Sequence, residues 1–290
     1  LTYFQWIKSE KTLTERNLFF RYALATLITA NIGTLLSQVD MQMIIVQLGS
    51  EATGYYSNYL SLLNIPFIFI SPILAFLFPV ISELHSREDT QKMQMIHREF
   101  TLYFSIIGIW ISVFLFQFGK PLAILFFWEK FRLSWDILAY SSFFLTFLLL
   151  VQINFQFLAG TGKIWNRARI LAIALPINII LNYILIKQYW VEWSALAVGL
   201  SWIPLWYLSF RATRIYSSGF SWIPFIRNMA YVLVCGFMLY TIIPILQISD
   251  STRLWSLLII WIAMIVNIVI FVIGNFGLLI NAWEIIRNNK

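Results

Sequence analysis

An all-α polytopic membrane protein of about eight transmembrane helices is the fold class this sequence predicts, and three observations predict it. Of its 290 residues 60% are hydrophobic and only 11% charged, whereas soluble domains carry roughly 25% charged residues. Aromatic residues make up 18% of the chain, as suits spans anchored at both headgroup belts. Apolar stretches long enough to cross a bilayer recur from one end to the other, at 18–46, 56–81, 99–118, 137–158, 168–186, 193–210, 223–246 and 254–280. The loops between them are short, so the chemistry is expected inside the bilayer.

Residues 1–17 mix Tyr3, Phe4, Trp6 and Ile7 with Lys8, Glu10, Lys11 and Glu15. That mixture predicts an amphipathic linker on the cytoplasmic surface, with a frayed end as the alternative. Thr12 and Glu15 have capping-box spacing and are expected to open the first span. The chain begins at Leu1 with no signal peptide ahead of that span, so an internal piece of a longer polypeptide is expected.

The first span carries the most polar groups. At 100° per residue, Asn31, Thr34, Gln38 and Gln42 share one face, and Thr26, Thr29, Gly33, Ser37 and Asp40 the opposite one. Hydrogen-bonding groups on two sides exclude a lipid-bathed helix. The expectation is one face toward a cavity and the other against a neighbour through Gly33 and Ser37. A carboxylate within a span is costly and marks a coupling or pairing role; the alternative is that Asp40, late in the helix, caps a turn at headgroup level. Arg21, one turn in from the cytoplasmic end, is a candidate for a headgroup phosphate, or snorkels to the interface.

The second span contains Pro66, Pro72 and Pro79, each of which removes a backbone donor and can bend a helix. After the third span, Pro121 to Trp128 either extends that helix or forms a re-entrant turn. The fourth carries Gln152 and Gln156 four residues apart, with Asn154 on the other side. The fifth carries Asn178 and Asn182 with the same spacing, just after Pro176. Such residues line a wet cavity or bond across helices. His85 and His97 share one loop between the second and third spans and are read as solvated. Cys235 is the single cysteine, which excludes a disulfide framework and a cysteine metal site.

Alternating the sides of successive spans puts fifteen Lys and Arg on the N-terminal side and five on the other: Lys120, Lys130, Arg132, Lys187 and Arg253. Basic residues are held on the cytoplasmic side, so both termini are expected there, with the net charge of +7 meeting membrane lipids rather than nucleic acid. There is no Walker A loop, no His-Glu-x-x-His and no Gly-x-Ser-x-Gly. No enzyme, cofactor or metal is therefore expected.

Two blocks carry a family resemblance. Ser37-Gln38-Val39-Asp40, then Leu48-Gly49, Gly54-Tyr55-Tyr56-Ser57 and Phe78-Pro79-Val80-Ile81-Ser82 form the first. Leu158-Ala159-Gly160-Thr161-Gly162-Lys163, then Asn178-Ile179-Ile180-Leu181-Asn182-Tyr183-Ile184-Leu185-Ile186 and Ala195-Leu196-Ala197 form the second. In order and spacing the chain resembles the polysaccharide-exporter, or oligosaccharide flippase, branch of the multidrug/oligosaccharidyl-lipid/polysaccharide transporter superfamily over residues 10–215. One departure is Val191-Glu192-Trp193-Ser194-Ala195, where the family has Gly-x-x-Gly-Ala-Ala, which puts a close turn there in doubt.

The resemblance implies the second, C-terminal lobe of a two-lobe alternating-access transporter. Residues 18–212 would be that six-helix lobe and 213–290 two accessory helices with a short tail. The first lobe would lie upstream in the same polypeptide, or a homodimer would form if the chain is complete. The implied activity is translocation of prenyl-diphosphate-linked oligosaccharide units across the cell membrane for surface polysaccharide synthesis. Asn31, Thr34, Gln38, Gln152 and Gln156 would line its cavity, Asp40 would couple transport or pair helices, and Asn178 and Asn182 would act as glue or cavity lining. A peptidoglycan-precursor flippase is a near neighbour. A cation-coupled multidrug antiporter of the same superfamily and a non-transporting membrane scaffold remain the alternatives.

Overall fold

The computed structural model describes residues 10–127, 132–142, 144–216, 223–230, 234, 265–266, 269–277 and 280. Seven helices follow one another: α1 (Glu10–Leu48), α2 (Ser50–Ser86), α3 (Thr90–Phe127), α4 (Arg132–Ser142), α5 (Leu145–Gly160), α6 (Ile164–Tyr189) and α7 (Glu192–Ala212), ending in a single 3₁₀ turn at Arg214–Tyr216. Five stretches of these helices are long and apolar enough to cross a membrane, and the bent pair α4–α5 makes a sixth. The described chain is an all-helical, multi-pass membrane protein. The expected seventh and eighth spans lie largely outside the described residues, although 223–230 and 269–277 are helical.

Three boundaries differ from the sequence reading. α1 already runs from Glu10, so Thr12 and Glu15 lie within the helix rather than at its start. Pro121 to Phe127 continue α3 beyond 118, which is the first of the two expected alternatives. The fourth span is not one helix. α4 and α5 meet at 58°, and the cause is local. The hydroxyls of Ser141 and Ser142 donate to the carbonyls of Leu138 and Ala139, and the Phe144 N–H reaches Ser141 O at 3.0 Å. Adjacent serines bonding back three residues compete with the regular ladder and bend a helix there. The three prolines of α2, by contrast, sit inside an unbroken helix.

α5 occupies the middle, packed against α2, α3 and α7 and more lightly against α6; α6 lies along both α7 and α1. Nearly every residue of α5 from Leu149 to Gly160 is buried, Gln152 and Gln156 being half-buried. At one end of the bundle Ile44, Tyr56, Tyr59, Leu62, Ile137, Leu138, Ile186 and Ala195 form a core. At the other end Leu74, Leu77, Ile81, Met93, Ile96, Phe104 and Phe157 form a second. Outward, α1 and α2 present Phe19, Phe20, Leu27, Leu35, Val46, Ile68, Phe69 and Phe76. A large apolar surface of this kind is ordinary where the solvent is lipid.

Both α1–α2 and α6–α7 turn through a residue with positive φ. The first is Gly49 (φ 88°, ψ −174°), for which that region is open. The second is Trp190 (φ 77°, ψ −165°), so the close turn forms even though the family's glycine pattern is missing. This region is essentially reserved for glycine and costs other residues about 1–3 kcal/mol. Trp190 is 45% exposed and has little packing to lose. Trp190→Gly is therefore expected to raise stability by about 1 kcal/mol, seen as a higher unfolding temperature in detergent.

Candidate functional site

Asp40 is the one described carboxylate that is fully buried, with 3% of its surface exposed. Four helices converge on it. The Tyr56 hydroxyl of α2 donates to Asp40 Oδ2 at 3.3 Å, and Asn182 Nδ2 of α6 donates to Oδ1 at 2.7 Å. Asn182 also donates to the carbonyl of Asn178 at 3.1 Å, and Ser194 of α7 donates to Asn182 Oδ1 at 2.8 Å. Asn178 Oδ1 is buried beside this group without a partner. No Lys or Arg among the described residues forms a salt bridge with Asp40, so neutral donors alone hold it.

Asp40 stands eight residues before the end of α1 and Ser194 two residues into α7. At 1.5 Å per residue the knot lies about 12 Å in from one end of the bundle. Asp40 thus bridges helices and does not cap a turn. Asn182 and Asp40, read separately in the sequence, belong to one hydrogen-bonded arrangement. Gly33 has no part in it, since a Cβ there would meet nothing within 4 Å. The buried seam of α1 runs instead through Ala25, Thr29, Asp40 and Ile44, with Ile32 and Leu36 packed on the cluster of Val151, Phe155, Leu158, Ile170 and Leu171.

The other polar face of α1 stays open. Asn31, Thr34, Gln38 and Gln42 are all exposed. Asn31 Nδ2 and the Thr34 hydroxyl spend one donor each on the carbonyls of Leu27 and Ala30. Gln152 and Gln156 are half-buried on α5, next in sequence to Val151 and Phe155 of the seam. Arg21 is exposed near the start of α1. What this arrangement offers is a row of neutral donors and acceptors on helices that are otherwise apolar, suited to hydroxyl-rich ligands and not to covalent chemistry. Among the described residues no group of three or more His, Cys, Asp or Glu is placed to hold a metal.

A second knot was missed by sequence reasoning. His97 is not a solvated loop residue: it lies inside α3, 1% exposed. Its Nε2 is 3.0 Å from Asn154 Oδ1, which also accepts from Thr213 at 3.2 Å, while Asn154 Nδ2 donates to Ser209 at 3.0 Å. The ring packs edge-on against Phe157. With Asn154 Oδ1 accepting, Nε2 carries the proton. The signal was Asn154 on the apolar side of α5, which demanded a partner. The two knots fasten opposite ends of the bundle, α7 entering both.

Residues 1–85 match the family described as polysaccharide biosynthesis protein. No curated protein matches the chain. A solved structure described as lipid II flippase MurJ, inward closed conformation, is 18% identical with a TM-score of 0.66 over 94% of this chain and 57% of that one. At that identity the likeness concerns the fold, and the chain spans a little over half the length of the solved protein. The resemblance read from the sequence is thereby borne out: this is a multi-pass helical membrane protein that carries the polysaccharide biosynthesis family's pattern in its first 85 residues and is similar in fold to a flippase of lipid-linked precursors.

Proposed function

We propose that this chain is one lobe of a flippase that moves prenyl-diphosphate-linked oligosaccharide repeat units from the inner to the outer leaflet of the cytoplasmic membrane. The observation that carries this is the open row Asn31, Thr34, Gln38 and Gln42 on an apolar span, in a fold similar to that of a lipid II flippase. A sugar headgroup needs hydrogen-bonding walls, whereas its prenyl chain is content in lipid. Gln152 and Gln156 extend those walls on α5. The distribution of Lys and Arg supports cytoplasmic termini. A second lobe of the same polypeptide is the natural partner for the exposed faces of α1 and α2; a homodimer would serve if none exists.

Within this reading Asp40 is the coupling residue. Its oxygens, the Ser194 hydroxyl and the unpartnered Asn178 Oδ1 are hard ligands of the kind a small cation or a proton uses. A multidrug antiporter is the less favoured reading because neutral hydroxyl-seeking groups, not acids, occupy the open face.

The test is depletion of the protein followed by extraction of prenyl-diphosphate sugars and assay of the leaflet that holds them. Build-up of finished units on the cytoplasmic face is the expected result. Unchanged lipid-linked sugars with altered dye retention would move the assignment to the antiporter. Replacing Asn31 and Gln38 together by Leu removes two neutral hydrogen bonds and is expected to lower flipping about tenfold. A scaffold would tolerate the double replacement.

A further inference from the structure

Arg167 stands out among the described basic residues because one nitrogen of its guanidinium is buried without an acceptor. The residue is half-buried in α6, three positions after its start at Ile164. Its guanidinium lies over the Phe155 ring of α5, 4.9 Å from the centroid, and Nε is buried without an acceptor. No described carboxylate pairs with it; Arg87, Lys92 and Arg98 take the described salt bridges. From α1, Tyr22 is close enough to act on its charge. Neighbouring Lys163 is already engaged with the Tyr216 hydroxyl and ring.

Register places further positive charge beside it. Asp40 bonds Asn182, and Tyr22 is near enough to Arg167 to act on its charge, so α1 and α6 run parallel with an offset near the 142 residues that separate the first pair. Arg21, exposed and adjacent to Tyr22, therefore lies at the level of the first turn of α6. Stacking on Phe155 fixes the guanidinium plane, and a buried Nε without an acceptor is costly. A plain snorkelling arginine would keep its head in water. The fork matches the oxygens of a phosphate group. At about 5 Å into the helix its depth is that of lipid phosphates.

We propose that Arg167, assisted by Arg21, anchors a site for a lipid-headgroup phosphate at the inner ends of α1 and α6. The phosphate belongs either to a bulk anionic phospholipid or to the diphosphate of a transported prenyl lipid. Only the second source rests on the flippase reading, and lipid retention is measured without any transport.

The protein is placed in phosphatidylcholine nanodiscs doped with phosphatidylglycerol or with undecaprenyl diphosphate, and retained lipid is quantified by native mass spectrometry. Arg167→Gln is expected to lower retention of the doped phosphate lipid about tenfold, as loss of a forked charge-assisted contact implies. Arg167→Lys, which keeps stem and charge and so preserves folding, is expected to fall in between. Arg169→Gln, exposed and 200° around the same helix, leaves retention unchanged. A fall with undecaprenyl diphosphate alone assigns the site to transported lipid, and a fall in both arms assigns it to headgroup phosphates at large. Retention by Arg167→Lys and Arg167→Gln equal to wild type in both arms overturns the site, as does an equal fall in Arg169→Gln.

Discussion

Asp40→Ala is expected to unfold the protein at markedly lower temperature and to abolish transport, whereas Asp40→Asn should fold normally and transport poorly. The distinction follows from the hydrogen bonds. Removing the carboxylate takes an acceptor from the buried Tyr56 hydroxyl and from one Asn182 N–H, at about 1–3 kcal/mol for each bond left unmade. Together that is about 3 kcal/mol, a large fraction of a domain's stability. An amide of the same shape keeps both contacts, its carbonyl toward Asn182 and its amino group toward the Tyr56 oxygen. It differs only in being unable to ionise or to balance a cation. Thermal unfolding in detergent separates the two effects, and flipping assayed on the folded Asp40→Asn variant is expected to fall about tenfold or more if coupling free energy is lost. Wild-type flipping by that variant would leave Asp40 a purely structural bolt, and the coupling proposal would be withdrawn.

The knot also shows what a sequence can and cannot disclose. All six described spans were legible from hydropathy, because lipid imposes one rule on every stretch of backbone. The two polar faces of α1 were legible too, from a 100° period. That Asp40 faces Asn182 was not: the two lie 142 residues apart, and no period connects them. His97 was misread for a related reason. Its neighbours Gln94, Arg98 and Glu99 make the start of α3 look like loop, and only the fold brings Asn154 and Thr213 over the ring. The bend in the fourth span was written in Ser141-Ser142 but hidden by the unbroken apolar run around it. Gly33 failed in the opposite sense, since a small residue on a polar face suggests close helix approach and here meets open space. Close approach occurs instead at glycines on otherwise featureless apolar stretches.

Gly199 is the sharpest of these. A Cβ there would lie 2.3 Å from Phe144 Cδ2, 2.7 Å from Cγ and 3.0 Å from Cβ. The clash reaches the root of the ring, so a rotation of its far edge does not relieve it. Phe144 is the residue at which α4 gives way to α5, and the space left by Gly199 is where α7 admits the bend. Gly199→Ala is therefore expected to cost about 1–3 kcal/mol through overpacking. Phe144→Ala, which removes Cγ and Cδ2, should relieve most of that clash, so that the double variant is more stable than the sum of the two single effects by about 1 kcal/mol or more, as direct neighbours allow. The consequence extends to transport. Gln152 and Gln156 are carried on α5 beyond the bend, and any change in the 58° angle swings them relative to α1. Gly199→Ala should lower flipping even at temperatures where it remains folded, and adding Phe144→Ala should recover part of both properties together. Rescue of stability without transport would mean that the bend is needed for packing but does not position the glutamines.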